Sequence, residues 1–167
     1  IAFQESVNVD VQVLRERAQP LLLLTDDDDV GAIEMTREDY LAKTQSPFDD
    51  FALSRFSLRD FSDEPVDVSL IERAVQVAQK SPSVCNRQTA RVYLVQGEER
   101  IAEHLSYQSG NRGFGHKVDK LLVVTSDLSC FYGIMERNQC YIDGGLFAMS
   151  LLYALHHQGL GAVPLNW

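Results

Sequence analysis

The chain has 167 residues, 45% hydrophobic and 23% charged, enough for one soluble globular domain with a real core. Its net charge of −9 argues against nucleic acid or an anionic membrane surface as the main partner. The three cysteines, Cys85, Cys130 and Cys140, form no C-x-x-C pair, which speaks against a disulfide framework or a zinc site and suits a reducing, cytoplasmic compartment.

No membrane span is expected, because the longest apolar stretch, Leu146–Leu155, is broken by Ser150 and falls well short of about 20 residues. The chain opens at Ile1 rather than Met and stops at Trp167, as a fragment or a processed chain would, and no signal peptide is visible. Val9–Ala18 is a candidate helix closed by Pro20, and Asp26–Asp29 reads as a solvated acidic loop. A calcium loop is the weaker reading there, since the spaced ligands, central Gly and final Glu of an EF-hand do not appear.

Thr36 followed by Asp39 predicts a helix start, with the helix running to about Gln45 before Pro47. Phe48–Leu53 then leads into Ser54–Phe61, S-R-F-S-L-R-D-F. Extended, this stretch places Arg55, Ser57 and Arg59 on one face and Phe56 and Leu58 on the other. Two guanidiniums flanking a hydroxyl suit a phosphate dianion. The alternative is an amphipathic surface segment whose arginines pair with Asp60, Asp63 or Glu64.

Asp67 caps a predicted helix over Val68–Lys80, in which Ile71, Ala74, Val75 and Ala78 form one buried face. The helix stops at Ser81-Pro82-Ser83. In the loop that follows, Ser83, Asn86 and Gln88 offer a hydroxyl and side-chain amides suited to the edge of a planar heterocycle. An ordinary helix-stop loop is the competing interpretation. Cys85, in the same loop, has no general base beside it and is expected to be a small packing residue.

Arg91–Val95 reads as a strand, Glu98–Tyr107 as a helix and Leu121–Thr125 as a buried strand. Between the last two, Gly110–Lys117 lacks the strand–loop–helix context of a Walker or Rossmann loop and is expected to be a mobile connecting loop, with a loop that lines a site as the further reading. Gln139–Gln158 is the clearest helix, with Gly159 as its C′ residue and apolar residues around most of its circumference. Such a helix lies in the core or at a subunit interface. His156 and His157, at its C-terminus, are expected to gain partial charge from the helix dipole. None of the histidines has metal spacing. Leu160–Val163 would begin a last strand.

In this order the pieces resemble the nitroreductase family of flavoproteins. Its R-x-S-x-R-x-F motif matches Arg55, Ser57, Arg59 and Phe61, followed by Pro65-Val66 and the helix from Val68. Its P-S-x-x-N-x-Q signature matches Pro82, Ser83, Asn86 and Gln88. Tyr141–Gly145 and Gly159-Leu160-Gly161 are similar to its central helix and the strand after it. The resemblance covers about residues 51–167, leaving 1–50 as an N-terminal extension.

The resemblance implies an α+β, three-layer fold, with a central mixed or antiparallel sheet flanked by helices in an intertwined homodimer. It also implies FMN as cofactor and NAD(P)H as transient electron donor, with hydride passed by a ping-pong mechanism to an organic acceptor. A nitro compound, a quinone or a dedicated biosynthetic substrate would each serve. Arg55, Ser57 and Arg59 would hold the phosphate. Pro82, Ser83, Asn86 and Gln88 would line the ring, partly across the subunit boundary, and Val163, Pro164 and Leu165 would pass close to it. Thr89-Ala90 departs from the Pro-Trp the family often has there. Trp167 precedes the C-terminal region that normally adds another basic phosphate ligand and closes the dimer. A non-catalytic interaction module that keeps the fold is the rival from another class.

Overall fold

The computed structural model describes residues 35–166, and its larger compact unit spans Arg37–Trp167. The expected helix over Val9–Ala18 and the Asp26–Asp29 loop lie outside the described residues. Two strands, β1 (Ala90–Gln96) and β2 (Lys120–Ser126), pair antiparallel, with Val92 opposite Val124 and Leu94 opposite Leu122. These residues share one face by the two-residue period of a strand. They pack against the core formed by helices α3 (Val68–Ala78) and α5 (Gln139–His157).

Asp67 caps α3 as predicted, its carboxylate accepting from the Ser69 N–H at 2.9 Å. Ile71, Ala74 and Ala78 are buried against Phe147, Leu151, Ala154 and Leu155 of α5. Helix α5 ends in a Schellman turn. Gly159, at φ +75°, donates to the His156 carbonyl, and Leu160 donates to that of Leu155. Glycine takes this left-handed position without steric cost. Helix α4 (Glu98–Ser106) follows β1 and packs on it, burying Ile101 and Leu105.

Two short helices precede this core. The first, α1 (Arg37–Lys43), is the one predicted after Thr36. The second, α2 (Phe48–Ser54), was not expected: Phe51 and Phe48 lean on Tyr153 of α5 at 5.6 and 6.2 Å between ring centres. Tertiary packing holds this single pair of turns, whose sequence shows no cap hydrogen bond.

The strand expected over Leu160–Val163 is reduced to one parallel bridge, Ser57 with Ala162, with the Leu58 N–H donating to the Ala162 carbonyl at 3.1 Å. Pro164, lacking an N–H, cannot extend the ladder. Gly161 sits where a Cβ would come within 2.8 Å of Leu58 Cδ1, so a larger residue there would make the Leu58 side chain shift.

Candidate functional site

The arginine segment leaves α2 at Ser54 and runs extended through Ser57, where it meets the 160–165 segment. Arg55 is partly buried and makes no hydrogen bond or ion pair with any described residue. Arg59, exposed, donates to the Ser57 carbonyl at 3.3 Å and lies over the Phe114 ring at 6.0 Å. The acids that could have neutralised the pair are engaged elsewhere. Asp60 pairs with Lys117 at 2.7 Å and Glu64 with Arg37. Their carboxyls are held below the usual range by those cations. The surface alternative, with Arg55 and Arg59 paired to these neighbours, therefore does not hold for Asp60 or Glu64. In a chain of net charge −9, Arg55 and Arg59 are thus two guanidiniums with no acid partner among the described residues.

The Gly110–Lys117 connection, expected to be mobile, is anchored beside this arginine segment. Phe114 is buried, faces Phe61 at 6.3 Å and underlies Arg59, and Lys117 holds Asp60. Asp119 accepts from the Val66 N–H at 2.7 Å, tying the chain after the arginines to the start of β2. Beyond the bridge at Ala162 come Val163, Pro164 and Leu165. The Asn166 carbonyl then accepts from Gln108 at 2.7 Å. The backbone of all three residues is thus pinned at both ends.

The second candidate wall is the loop after α3. Cys85, Asn86 and Gln88 all have positive φ, 50°, 54° and 51°. Left-handed backbone at three non-glycine residues is costly and persists only where surrounding contacts impose it. Those contacts are present. The Ser83 hydroxyl accepts from the Gln88 N–H at 3.0 Å, and the Gln88 amide donates to Asn86 Oδ1 at 3.1 Å. Arg87 grips Glu136 at 2.7 Å, donates to the Cys130 carbonyl and covers the Tyr132 ring at 4.7 Å. Pro82, Asn86 and Gln88 remain exposed. Cys85 is exposed as well, so its expected packing role fails: the left-handed turn carries it outward.

Two residues that sequence reasoning left without this role hold the walls in place. Asp143, 4% exposed on α5, accepts from the Val84 N–H at 3.1 Å and from Gln139 at 2.8 Å. It lies within the Tyr141–Gly145 motif, so its position was visible in sequence though its contact was not. His156 is 1% exposed rather than a charged helix end. Burial, then the nearby Arg55, hold its imidazole below its ordinary value and so favour the neutral form. Its partners, Ser54 and Tyr40, sit 102 and 116 residues away in sequence, and no local pattern announces them. Among the described residues, the hydrogen bonds of the loop run to α5 and to the 130–136 turn, and none joins it to the arginine segment.

The Nitroreductase family model matches residues 52–112 of this sequence. No curated protein matches it. Among solved structures, nitroreductase A from Vibrio parahaemolyticus superposes with a TM-score of 0.58 at 21% identity, over 78% of this chain and 55% of that one. A nitroreductase family protein from Clostridium difficile gives 0.52 at 20% identity, over 74% and 63%. An iodotyrosine deiodinase bound to FMN and 3-iodo-L-tyrosine gives 0.54 at 24% identity, over 78% and 74%. The chain spans 55% to 64% of the length of several proteins it resembles. Residues 52–112 carry the sequence signature of the nitroreductase family, and the chain that holds them has the nitroreductase fold.

Proposed function

We propose that this chain is an FMN-dependent oxidoreductase that passes hydride from NAD(P)H to an organic acceptor by a ping-pong exchange, working as a cytoplasmic homodimer. The observation that carries this is the Arg55–Ser57–Arg59 cradle, whose guanidiniums have no acid partner among the described residues and which abuts the 160–165 backbone. Its donor set fits a phosphate monoester dianion, because guanidinium donors match phosphate oxygens in pairs. The amides of Asn86 and Gln88, with the Ser83 hydroxyl and Pro82, fit the polar edge and flat face of a heterocycle. Val163, Pro164 and Leu165 form the remaining wall. Bound FMN would supply two-electron redox chemistry, while the protein supplies grip, orientation and exclusion of water. Residues 51–167 are the segment assigned to this binding domain.

Two further observations support the dimer. Among the described residues the loop and the cradle share no hydrogen bond, which suits a flavin held by loops of two subunits. Helix α5 also leaves Tyr141, Ile142, Leu146 and Met149 exposed, an apolar stripe opposite its buried face. Among the described residues no helix is long and apolar enough to cross a membrane, and nothing in the acidic composition favours nucleic acid.

The test is to purify the full chain, record its visible spectrum with and without added FMN, and then add NADH or NADPH without oxygen. Flavin absorbance that bleaches with either nucleotide is the expected result. A colourless protein that takes up no FMN would leave only a non-catalytic module with this fold. Bound flavin that neither nucleotide bleaches would refute NAD(P)H as donor.

A further inference from the structure

We propose that His156 is a positioning residue for the phosphate cradle, fixing the backbone on both of its sides through one file of hydrogen bonds. The proposal rests on the phosphate reading above. Tyr40 donates to the Leu160 carbonyl at 3.2 Å. Burial pushes its phenol up to about 12, so it keeps this proton across the working pH range. The Tyr40 oxygen also lies 2.8 Å from Nδ1 of His156, so the phenol stands between the Leu160 carbonyl and the imidazole. On its other side, Nε2 lies 2.8 Å from the Ser54 hydroxyl. The proton of Ser54 has one competing site, the Phe51 carbonyl at 2.8 Å.

The ends of this file are the point of the arrangement. Ser54 directly precedes Arg55, and Leu160 directly precedes Gly161-Ala162, which bridges back to Ser57. The side-chain file and the backbone bridge therefore close a circuit around Arg55 and Phe56. Rings of Phe51 and Tyr40 stand 4.9 Å from the imidazole and keep water from competing for its nitrogens. Besides Tyr40, the charged or titratable groups bearing on it are Arg55 and His157; with burial they disfavour the imidazolium, against a hydrogen bond to the Phe51 carbonyl that favours it, and burial prevails. The file is accordingly neutral, and it runs unbroken from Ser54 through His156 and Tyr40 to Leu160.

A merely structural network would lower stability when cut, and would affect every ligand alike. A positioning residue for the cradle acts only on ligands that carry a phosphate. The experiment is to titrate the full chain and its Tyr40→Phe, Ser54→Ala and His156→Phe variants with FMN and with riboflavin, following quenching of flavin fluorescence. The expected result is a loss of about tenfold in FMN affinity with riboflavin affinity unchanged, the size of one or two hydrogen bonds. Equal losses for both flavins, or no loss for FMN, would overturn the proposal while leaving the proposed function standing. Failure of the unaltered chain to bind either flavin would overturn both. Tyr40→Phe keeps the ring and removes one oxygen, so it decides the matter if His156→Phe does not fold.

Discussion

The loop that carries Ser83, Asn86 and Gln88 depends on one buried carboxylate, and removing it should be costly. Asp143 accepts two hydrogen bonds, from the Val84 N–H at 3.1 Å and from Gln139 at 2.8 Å. Hydrogen bonds to a charged group are worth about 1.5–3 kcal/mol each. In Asp143→Ala the Gln139 amide can turn toward solvent, but the partly buried Val84 N–H loses its partner. The net cost is then about 3 kcal/mol, or roughly 6–12 °C in Tm for a domain of this size. Asp143→Asn should lose less than half as much. Its amide oxygen can still accept from Val84, and its amide nitrogen can donate to Gln139 once that side chain turns over. Thermal unfolding followed by circular dichroism measures both. A fall below about 1 kcal/mol for Asp143→Ala, or an equal fall for the two variants, would refute the tether.

Other consequences are as direct. Arg55→Ala should weaken FMN binding by about 10- to 100-fold, with riboflavin little affected, and equal losses would argue against a phosphate contact. Gly161→Ala puts a Cβ 2.8 Å from Leu58 Cδ1 and should destabilise by about 1–3 kcal/mol, and Leu58→Val should restore part of that by making room. His156 has a folded-state pKa below its ordinary value near 6.5, so on acidification the unfolded chain takes up this proton first. Stability should then fall as the pH drops below about 6.5, and Tm measured between pH 7.5 and 5.5 should decline more steeply for the unaltered chain than for His156→Phe. Leu146→Lys, on the exposed stripe of α5, should convert the proposed dimer to monomers in analytical ultracentrifugation.

Much of the fold was legible because local signals and tertiary packing agree. The Asp67 cap and the apolar positions of α3 place that helix to within two residues, and the strands expected over Arg91–Val95 and the apolar run Leu121–Thr125 each fall one residue short of the observed strand at either end. Helix α2 was not legible, since it has only seven residues and no side-chain cap, and the rings that hold it lie about 100 residues on. Period and charge single out Arg55, Ser57 and Arg59 as a proposed cradle, yet that neither arginine pairs with Asp60 or Glu64 could not be read from the sequence. Asp60 and Glu64 are adjacent in sequence but turn to Lys117 and Arg37. His156 was misread for a related reason: a histidine in the last turn of a helix is ordinarily exposed to solvent and dipole. Here α1 and α2 fold over it, and burial reverses the sign of the expected shift.

One helix mounts both candidate walls. Asp143 and His156 are 13 residues apart on α5, a rise of roughly 20 Å at 1.5 Å per residue. The first tethers the loop after α3 at Val84 and the second the arginine segment at Ser54, so neither proposed wall can shift without moving a buried polar contact on that helix. Between them Phe147 and Leu151 anchor α5 in the core, which makes the mount rigid. The opposite face of the helix, with Ile142, Leu146 and Met149 at helical spacing, is apolar and open. A second copy packed there would bring its own loop and cradle to the same mount. Dimerisation and cofactor retention would then draw on one element, and changes at that face should appear in flavin affinity even where no altered side chain reaches the flavin.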